Sequence, residues 1–235
     1  TIHETRSFLM KPYPASFPST AIFSGMSREE IESILHCLGA SQEVFPKGCA
    51  IFRAGDETES MGLVLSGNVL VIQEDLWGHR SIMDMIVPGD SFGEIFAASP
   101  GSILNVSVIA DSDCQILMMN LKRILSVCPS SCSHHRKLIQ NLVSSLAKKA
   151  LRFNHKITHM SKRSTREKLL SFLSAESIQH GSLCFPISYN RQQLADYLCV
   201  DRAAMCVALS ALQEEGLISY EKNRFTLHIN AAEGQ

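Results

Sequence analysis

The sequence predicts an α+β protein in three parts: a strand-rich first half, one long helix, and a second half of short helices with a closing hairpin. Three observations lead there. Glycine-punctuated apolar runs of strand length fill residues 41–121, an apolar 4-3 repeat fills 134–160, and helical periodicity interrupted by short polar turns follows. A chain of 235 residues has room for two domains that each bury a core.

Composition limits the function classes. Hydrophobic residues make up 45% and charged residues 19%, as in a soluble globular protein. No apolar run approaches the roughly 18 residues that span a bilayer, and the first residues lack a basic-then-apolar signal pattern. The expected location is therefore the cytoplasm, with no membrane partner. Eight cysteines are scattered through mostly apolar surroundings, as reduced thiols rather than a disulfide framework, and no CxxC supports a zinc ribbon or a thioredoxin-like site. The net charge of −1 hides an asymmetry. Residues 1–133 hold 8 Lys and Arg against 15 Asp and Glu, a balance of −7; from 134 onward it is 14 against 8, or +6. Only the second half is suited to meet a polyanion.

In chain order, Pro12, Pro14 and Pro18 mark an irregular lead-in. Ser27, with Glu30 three residues on, is a capping box that opens a helix through Ile31, Ile34 and Leu35 and stops near Gly39. Strands are expected at 42–45, 50–52, 62–73, 80–87, 91–92, 106–110 and 114–120, with glycines between or within them for turns and bulges. Short antiparallel strands in this number suggest a jelly-roll or barrel.

The long helix carries its apolar residues at Ile139, Val143, Leu146, Ala150, Phe153, Ile157 and Met160, the a/d seam of a two-stranded coiled coil. This seam predicts a homodimer. The basic residues Lys137, Lys148, Lys149, Arg152 and Lys156 fall largely outside it, on a solvated face. Just before the helix, Cys128, Cys132, His134 and His135 form a tighter group that could hold a metal or act as a redox pair; the plainer reading, and the one adopted, is a polar turn, with no metal site.

After a polar hinge at 161–165 comes a helix with Leu169, Leu170 and Leu173 on one side, then a short strand within 181–187. Two helices follow, one from Asn190 and one from Asp201, with Leu194, Ala195 and Leu198 set to pack on Met205, Ala208, Leu209 and Leu212. That is a helix-turn-helix. Strands after Gly216 and Asn223, joined near Lys222, add a wing. A helix N-terminus attracts phosphate, so Asn190, Arg191 and Gln192 should meet a DNA backbone, and Asp201 should cap the second helix. Arg202, its first exposed side chain, can reach guanine with two bonds, with Ala203 beside it.

Phe45-Pro46-Lys47-Gly48, Phe52-Arg53-Ala54-Gly55-Asp56, Leu63-Val64-Leu65-Ser66-Gly67-Asn68-Val69 and Pro88-Gly89-Asp90-Ser91-Phe92-Gly93-Glu94, followed by the long helix and the helix-turn-helix, resemble the Crp/Fnr transcription regulators over about 41–228. The resemblance implies a double-stranded β-helix (jelly-roll) sensor domain at 1–133, a dimerisation helix and hinge at 134–163, and a winged helix-turn-helix DNA-binding domain at 164–235. It implies a dimeric bacterial regulator that reads a double-stranded operator of two half-sites under control of a small effector, with RNA polymerase as a possible further partner.

Effector-site residues implied by the likeness are Gly93, Glu94, Leu104 and Asn105. Gly93 and Glu94 fit a ligand role, or a strand corner that caps a short helix. Cyclic-AMP-binding relatives place an Arg-Ser pair where this chain has Leu104 and Asn105, and an apolar side chain cannot balance a buried phosphate. Strong cyclic AMP binding is therefore not expected, and the effector is some other small molecule. Fnr-type relatives hold an iron–sulfur cluster with N-terminal cysteines; here the first cysteine is Cys37, so no such cluster is expected. Relatives also place Glu and Arg where this chain has Ala203 and Val207.

Two other classes stand beside this reading. A cupin-type enzyme needs clustered histidines, yet His79 is the only one between 41 and 121, so no catalysis is expected. A ligand- or redox-sensing interaction protein with a degenerate DNA-binding domain is the second, suggested by the apolar recognition helix.

Overall fold

The computed structural model describes residues 20–99, 101–126 and 133–228. The irregular lead-in expected before Thr20 and the Cys128–Cys132 pair lie outside the described residues. The chain divides into two compact units: the residues up to Gly78 with Met83–Leu146, and His79–Ile82 with the residues from Ala147 onward.

In the first unit, a 3-10 turn (Ala21–Phe23) leads to α1 (Arg28–Leu38). The predicted capping box is present: Ser27 accepts from Glu30 N–H while the Glu30 carboxylate accepts from Ser27 N–H, and Gly39 closes the helix at φ 61°. Strands β1 (Ser41–Phe45), β2 (Ala50–Phe52), β3 (Ser60–Ser66), β4 (Val69–Glu74), β5 (Arg80–Ile86), β6 (Ser91–Phe92), β7 (Ser107–Ala110) and β8 (Cys114–Asn120) form two antiparallel sheets, ordered β1-β8-β3-β6 and β2-β7-β4-β5. Short helices α2 (Glu94–Ala97) and α3 (Leu121–Leu125) interrupt and follow them.

Strand periodicity of two explains why the central strands read as continuous apolar runs. Met61, Leu63 and Leu65 of β3 and Leu117 and Met119 of β8 pack on the helices, with Ile31, Ile34, Leu35 and Leu38. The alternate residues, Val64 and Ile116, join Val69, Phe92 and Val108 in a second cluster. Gly62 is required where it stands: a Cβ there would lie 2.2 Å from the Phe92 ring.

The expected single strand at 62–73 is two strands. Gly67 turns the chain at φ 80°, where a Cβ would meet Asp113 O at 2.4 Å, and β8 runs beside β3 from Ser60↔Asn120 to Val64↔Ile116.

Helix α4 (Ser133–Met160) has the predicted length. Leu138 and Leu142 are buried in the first unit's core, with Ile139 and Leu146 partly so. Asn141 donates to Ile22 O and Ser24 O, both at 3.0 Å, and His134 meets Glu30 at 3.0 Å. Of the seam residues, Val143 and Ile157 are 60% and 65% exposed on the single chain, and Ala150 is also exposed.

The second unit contains α5 (Thr165–His180), β9 (Cys184–Pro186), α6 (Arg191–Leu198), α7 (Arg202–Glu214), β10 (Ile218–Glu221) and β11 (Arg224–Leu227), the strands in the order β10-β11-β9. Its core joins Leu169, Phe172 and Leu173 of α5 to Leu194, Ala195, Leu198, Met205, Leu209, Leu212, Phe185 and Phe225. These are largely the residues that helical spacing placed inward.

One buried group makes this unit sensitive to acid. His159, near the end of α4, is 4% exposed, shares a 2.8 Å hydrogen bond with Ser171 Oγ and stands edge-on to Phe172. Burial first, then His155 and Lys162, hold its pKa below the ordinary 6.5. The folded state thus favours neutral imidazole: its contribution is complete above pH 6.5 and is lost as the pH falls from there toward the depressed folded value. Glu176 acts with the opposite sign, because burial raises its pKa and acid stabilises its folded form. In thermal unfolding across pH, the midpoint difference between the unaltered protein and His159→Gln should shift against the unaltered protein as the pH falls through this window. A constant difference would mean that the histidine titrates freely.

Candidate functional site

The first candidate is the corner between β6 and α2. Gly93 holds φ 85° as the N-cap of α2, and a Cβ there would come 2.7 Å from the Phe52 ring and 3.2 Å from Ser60 O. No L side chain fits without displacing one or the other. Glu94, next in the chain, is 1% exposed and accepts a short hydrogen bond from Ser91 Oγ. Leu104 is buried in the roll, paired through its backbone with Gly55 N–H (2.8 Å) and Asp56 O (2.9 Å), whereas Asn105 is exposed. An apolar side chain thus occupies the buried position where the resemblance would call for a phosphate-binding arginine.

The second candidate is built on α6 and α7. Asn190 caps α6, accepting from Gln193 N–H at 2.9 Å while Gln193 Oε1 accepts from Asn190 N–H. Gln192 donates to Asp196 at 2.8 Å. Arg191 turns inward: its Nη2 donates to Lys222 O at 2.9 Å and its guanidinium lies 4.9 Å and 5.1 Å from the Tyr220 and Phe225 ring centres. At the turn, Cys199 takes the left-handed conformation (φ 49°) that glycine usually supplies.

Asp201 caps α7 as expected, accepting from Ala204 N–H at 2.8 Å. With the cap carried by Asp201, the exposed Arg202 is free to point outward at the first helical position. Ala203 and Ala204 are exposed beside it, and Val207 is 71% exposed, so the outer face of α7 offers one guanidinium among small apolar groups. Its inner face, Met205, Leu209 and Leu212, is core. The wing turn carries Lys222 and Arg224, both exposed. Beside them the Cys184 thiol is held below its ordinary pKa by hydrogen bonds from Thr226 and Arg224.

Three supporting contacts had no local signal in the sequence. Lys168 of α5 donates to Leu198 O and Cys199 O, satisfying carbonyls that the end of α6 leaves without helical partners. Arg166 grips Glu215, just past α7, with two parallel bonds. The third is the placement of Arg191 on the wing. Their partners lie 30–49 residues away in the chain. Among the described residues, no group of three or more His, Cys, Asp or Glu is disposed to hold a metal ion, and no helix is long and apolar enough to cross a membrane.

A β-roll with a glycine-glutamate corner, a long helix and a winged helix-turn-helix define a two-domain regulator of transcription. Residues 42–131 match the cyclic nucleotide-binding domain family, and residues 167–233 match the Crp-like helix-turn-helix domain family. The chain belongs to the Crp/Fnr family of transcription regulators. Among curated proteins it is 25% identical to the cyclic AMP receptor protein of Thermus thermophilus, over 84% of this chain and 87% of that one. Among solved structures it resembles the c-di-GMP responsive global regulator CLP of Xanthomonas campestris, with TM-score 0.69, 19% identity and coverage of 87% and 100% of the two chains. FixK2 of Bradyrhizobium japonicum aligns with TM-score 0.62 and 18% identity over 81% and 93%. Regulators of this family bind DNA and function as dimers.

Proposed function

We propose that the chain is a cytoplasmic homodimer in which a sensor domain at 1–133 answers a small effector other than cyclic AMP, a helix and hinge at 134–163 pairs two subunits, and residues 164–235 read a two-fold operator. Dimerisation falls to Ile139, Val143, Leu146, Ala150, Phe153 and Ile157, and contact with DNA to the starts of α6 and α7, Arg202 foremost. RNA polymerase is a further partner where the operator adjoins a promoter.

The observation that carries the DNA reading is α7 itself: one face is core, and the other holds Arg202 outward at the helix N-terminus, in a unit whose charge is positive. Selection from random-sequence DNA should retain a pseudo-palindrome with half-sites about one helical turn apart, bound more weakly as salt rises. Retention of no sequence, with no salt dependence, would favour the interaction-protein reading, for which the exposed Ala203, Ala204 and Val207 are the specific support.

The effector reading rests on Leu104. A cyclic phosphate set against a 2%-exposed leucine would lose water without gaining a counter-charge. Titration calorimetry with cyclic AMP is expected to give no binding at micromolar concentrations. Gly93, Glu94 and Asn105 remain candidates for a ligand of different chemistry, with the Ser91-bound carboxylate as an acceptor for a hydroxyl.

A further inference from the structure

Resting on the DNA reading above, we propose that Arg191 is a positioning residue that fixes the wing, and not a contact to the DNA backbone. Its place at the start of α6 suggests a phosphate ligand. Its side chain is committed elsewhere: Nη2 donates to Lys222 O at 2.9 Å, the guanidinium covers the rings of Tyr220 and Phe225, and Nη1 is a buried atom with no hydrogen-bond partner. A guanidinium held this way presents little of its charge to an approaching phosphate.

What it holds is a turn that needs holding. β10 and β11 pair from Ile218↔Leu227 to Glu221↔Arg224, which leaves a two-residue turn of Lys222 and Asn223. Lys222 has φ 52°, a left-handed conformation unfavourable for a residue with a Cβ. The two turn carbonyls are each tied back to the body of the domain. Asn223 O accepts from Ile187 N–H at 2.8 Å, a main-chain bond that any sequence would make. Lys222 O accepts from Arg191, a bond only this side chain makes. Tyr220 and Phe225 are register partners on the two strands, with rings 5.5 Å apart, so one guanidinium packs against both strands of the hairpin at once. Arg191 therefore sets the attitude at which Lys222 and Arg224 are offered to DNA.

Lysine keeps the charge at this position but lacks the planar fork that reaches two rings and a carbonyl together. Arg191→Lys thus separates the two roles. On the duplex that the unaltered protein retains from a random pool, both Arg191→Lys and Arg191→Ala are expected to weaken binding about tenfold. Added to Lys222→Ala with Arg224→Ala, either should cost less than about twofold more, because the wing they position no longer carries charge. In the free protein, hydrogen exchange at 221–224 should quicken in both variants, with far-ultraviolet circular dichroism unchanged.

Full binding by Arg191→Lys would overturn the proposal. So would an Arg191→Ala penalty that is the same in both backgrounds, with the salt slope falling by about 0.9 in each, since that marks one lost phosphate contact. If the unaltered protein retains no duplex, the DNA reading itself fails. Hydrogen exchange then decides the wing alone: unchanged protection at 221–224 would reject it.

Discussion

Val143→Asp is expected to convert the protein from dimer to monomer in light scattering while leaving each chain folded. Val143 is 60% exposed on the single chain, so a carboxylate there disturbs no intrachain packing. In a two-fold pair both aspartates enter one apolar seam, and burying unpaired charges costs several kcal/mol. A loss of ~3 kcal/mol raises the dissociation constant more than a hundredfold. Ile157→Asp, at a position 65% exposed, should behave alike, and Phe153→Asp should also split the pair, although Phe153 is half-buried within its own chain. Two controls separate pairing from folding. Leu151→Asp, 61% exposed but outside the 4-3 repeat, should remain dimeric. Leu142→Asp, at 3% exposure inside the first unit's core, should unfold that unit instead. Dimers from all three seam variants would refute the seam.

The physics behind that expectation is that α4 carries two apolar faces. Leu138 and Leu142 are spent on the β-roll, while Val143, Ala150 and Ile157 find no partner within the chain. A helix with apolar residues left facing water either pairs or pays for the exposure. In a regulator of this family, such a helix lets a small change at the roll alter the pairing on which a two-site operator depends. Ile139 and Leu146, partly buried against the roll and also on the seam, stand where the two faces meet.

The same contrast explains what was legible in the sequence. Strands β2, β6 and β8 begin and end where their apolar runs do, and the capping box at Ser27 and the cap at Asp201 are local chemistry, readable within four residues. The run at 62–73 concealed a turn because β3 buries both faces, which erased the alternation that marks a strand end. Five-residue α3 is too short to show a helical period. At the site, Arg202 followed from its place after the cap, whereas Arg191 could not be understood from position. Its partners, Tyr220, Lys222 and Phe225, become neighbours only when the hairpin folds back onto α6. Lys168 and the Arg166–Glu215 pair are the same case.

Arg202→Ala is the second large effect expected, and it should fall on recognition alone. Asp201, not Arg202, satisfies the α7 N-terminus, and Arg202 is exposed, so the thermal midpoint should not move. Asp201→Ala, in contrast, removes a cap worth about 1 kcal/mol and should lower it. On DNA, a two-bond arginine–guanine contact discriminates by ~1–3 kcal/mol. With Ala203, Ala204 and Val207 as its exposed neighbours, no adjacent polar side chain on α7 can take over that base pair. Arg202→Ala should therefore bring the selected operator about 10- to 100-fold nearer in affinity to random duplex, while residual binding keeps most of its salt slope, because backbone contacts persist. Repeating the selection with the variant should relax one position in each half-site. An unchanged selected sequence would remove Arg202 from base reading and leave specificity to DNA shape, the only other source open to a helix whose exposed face is otherwise so small and apolar.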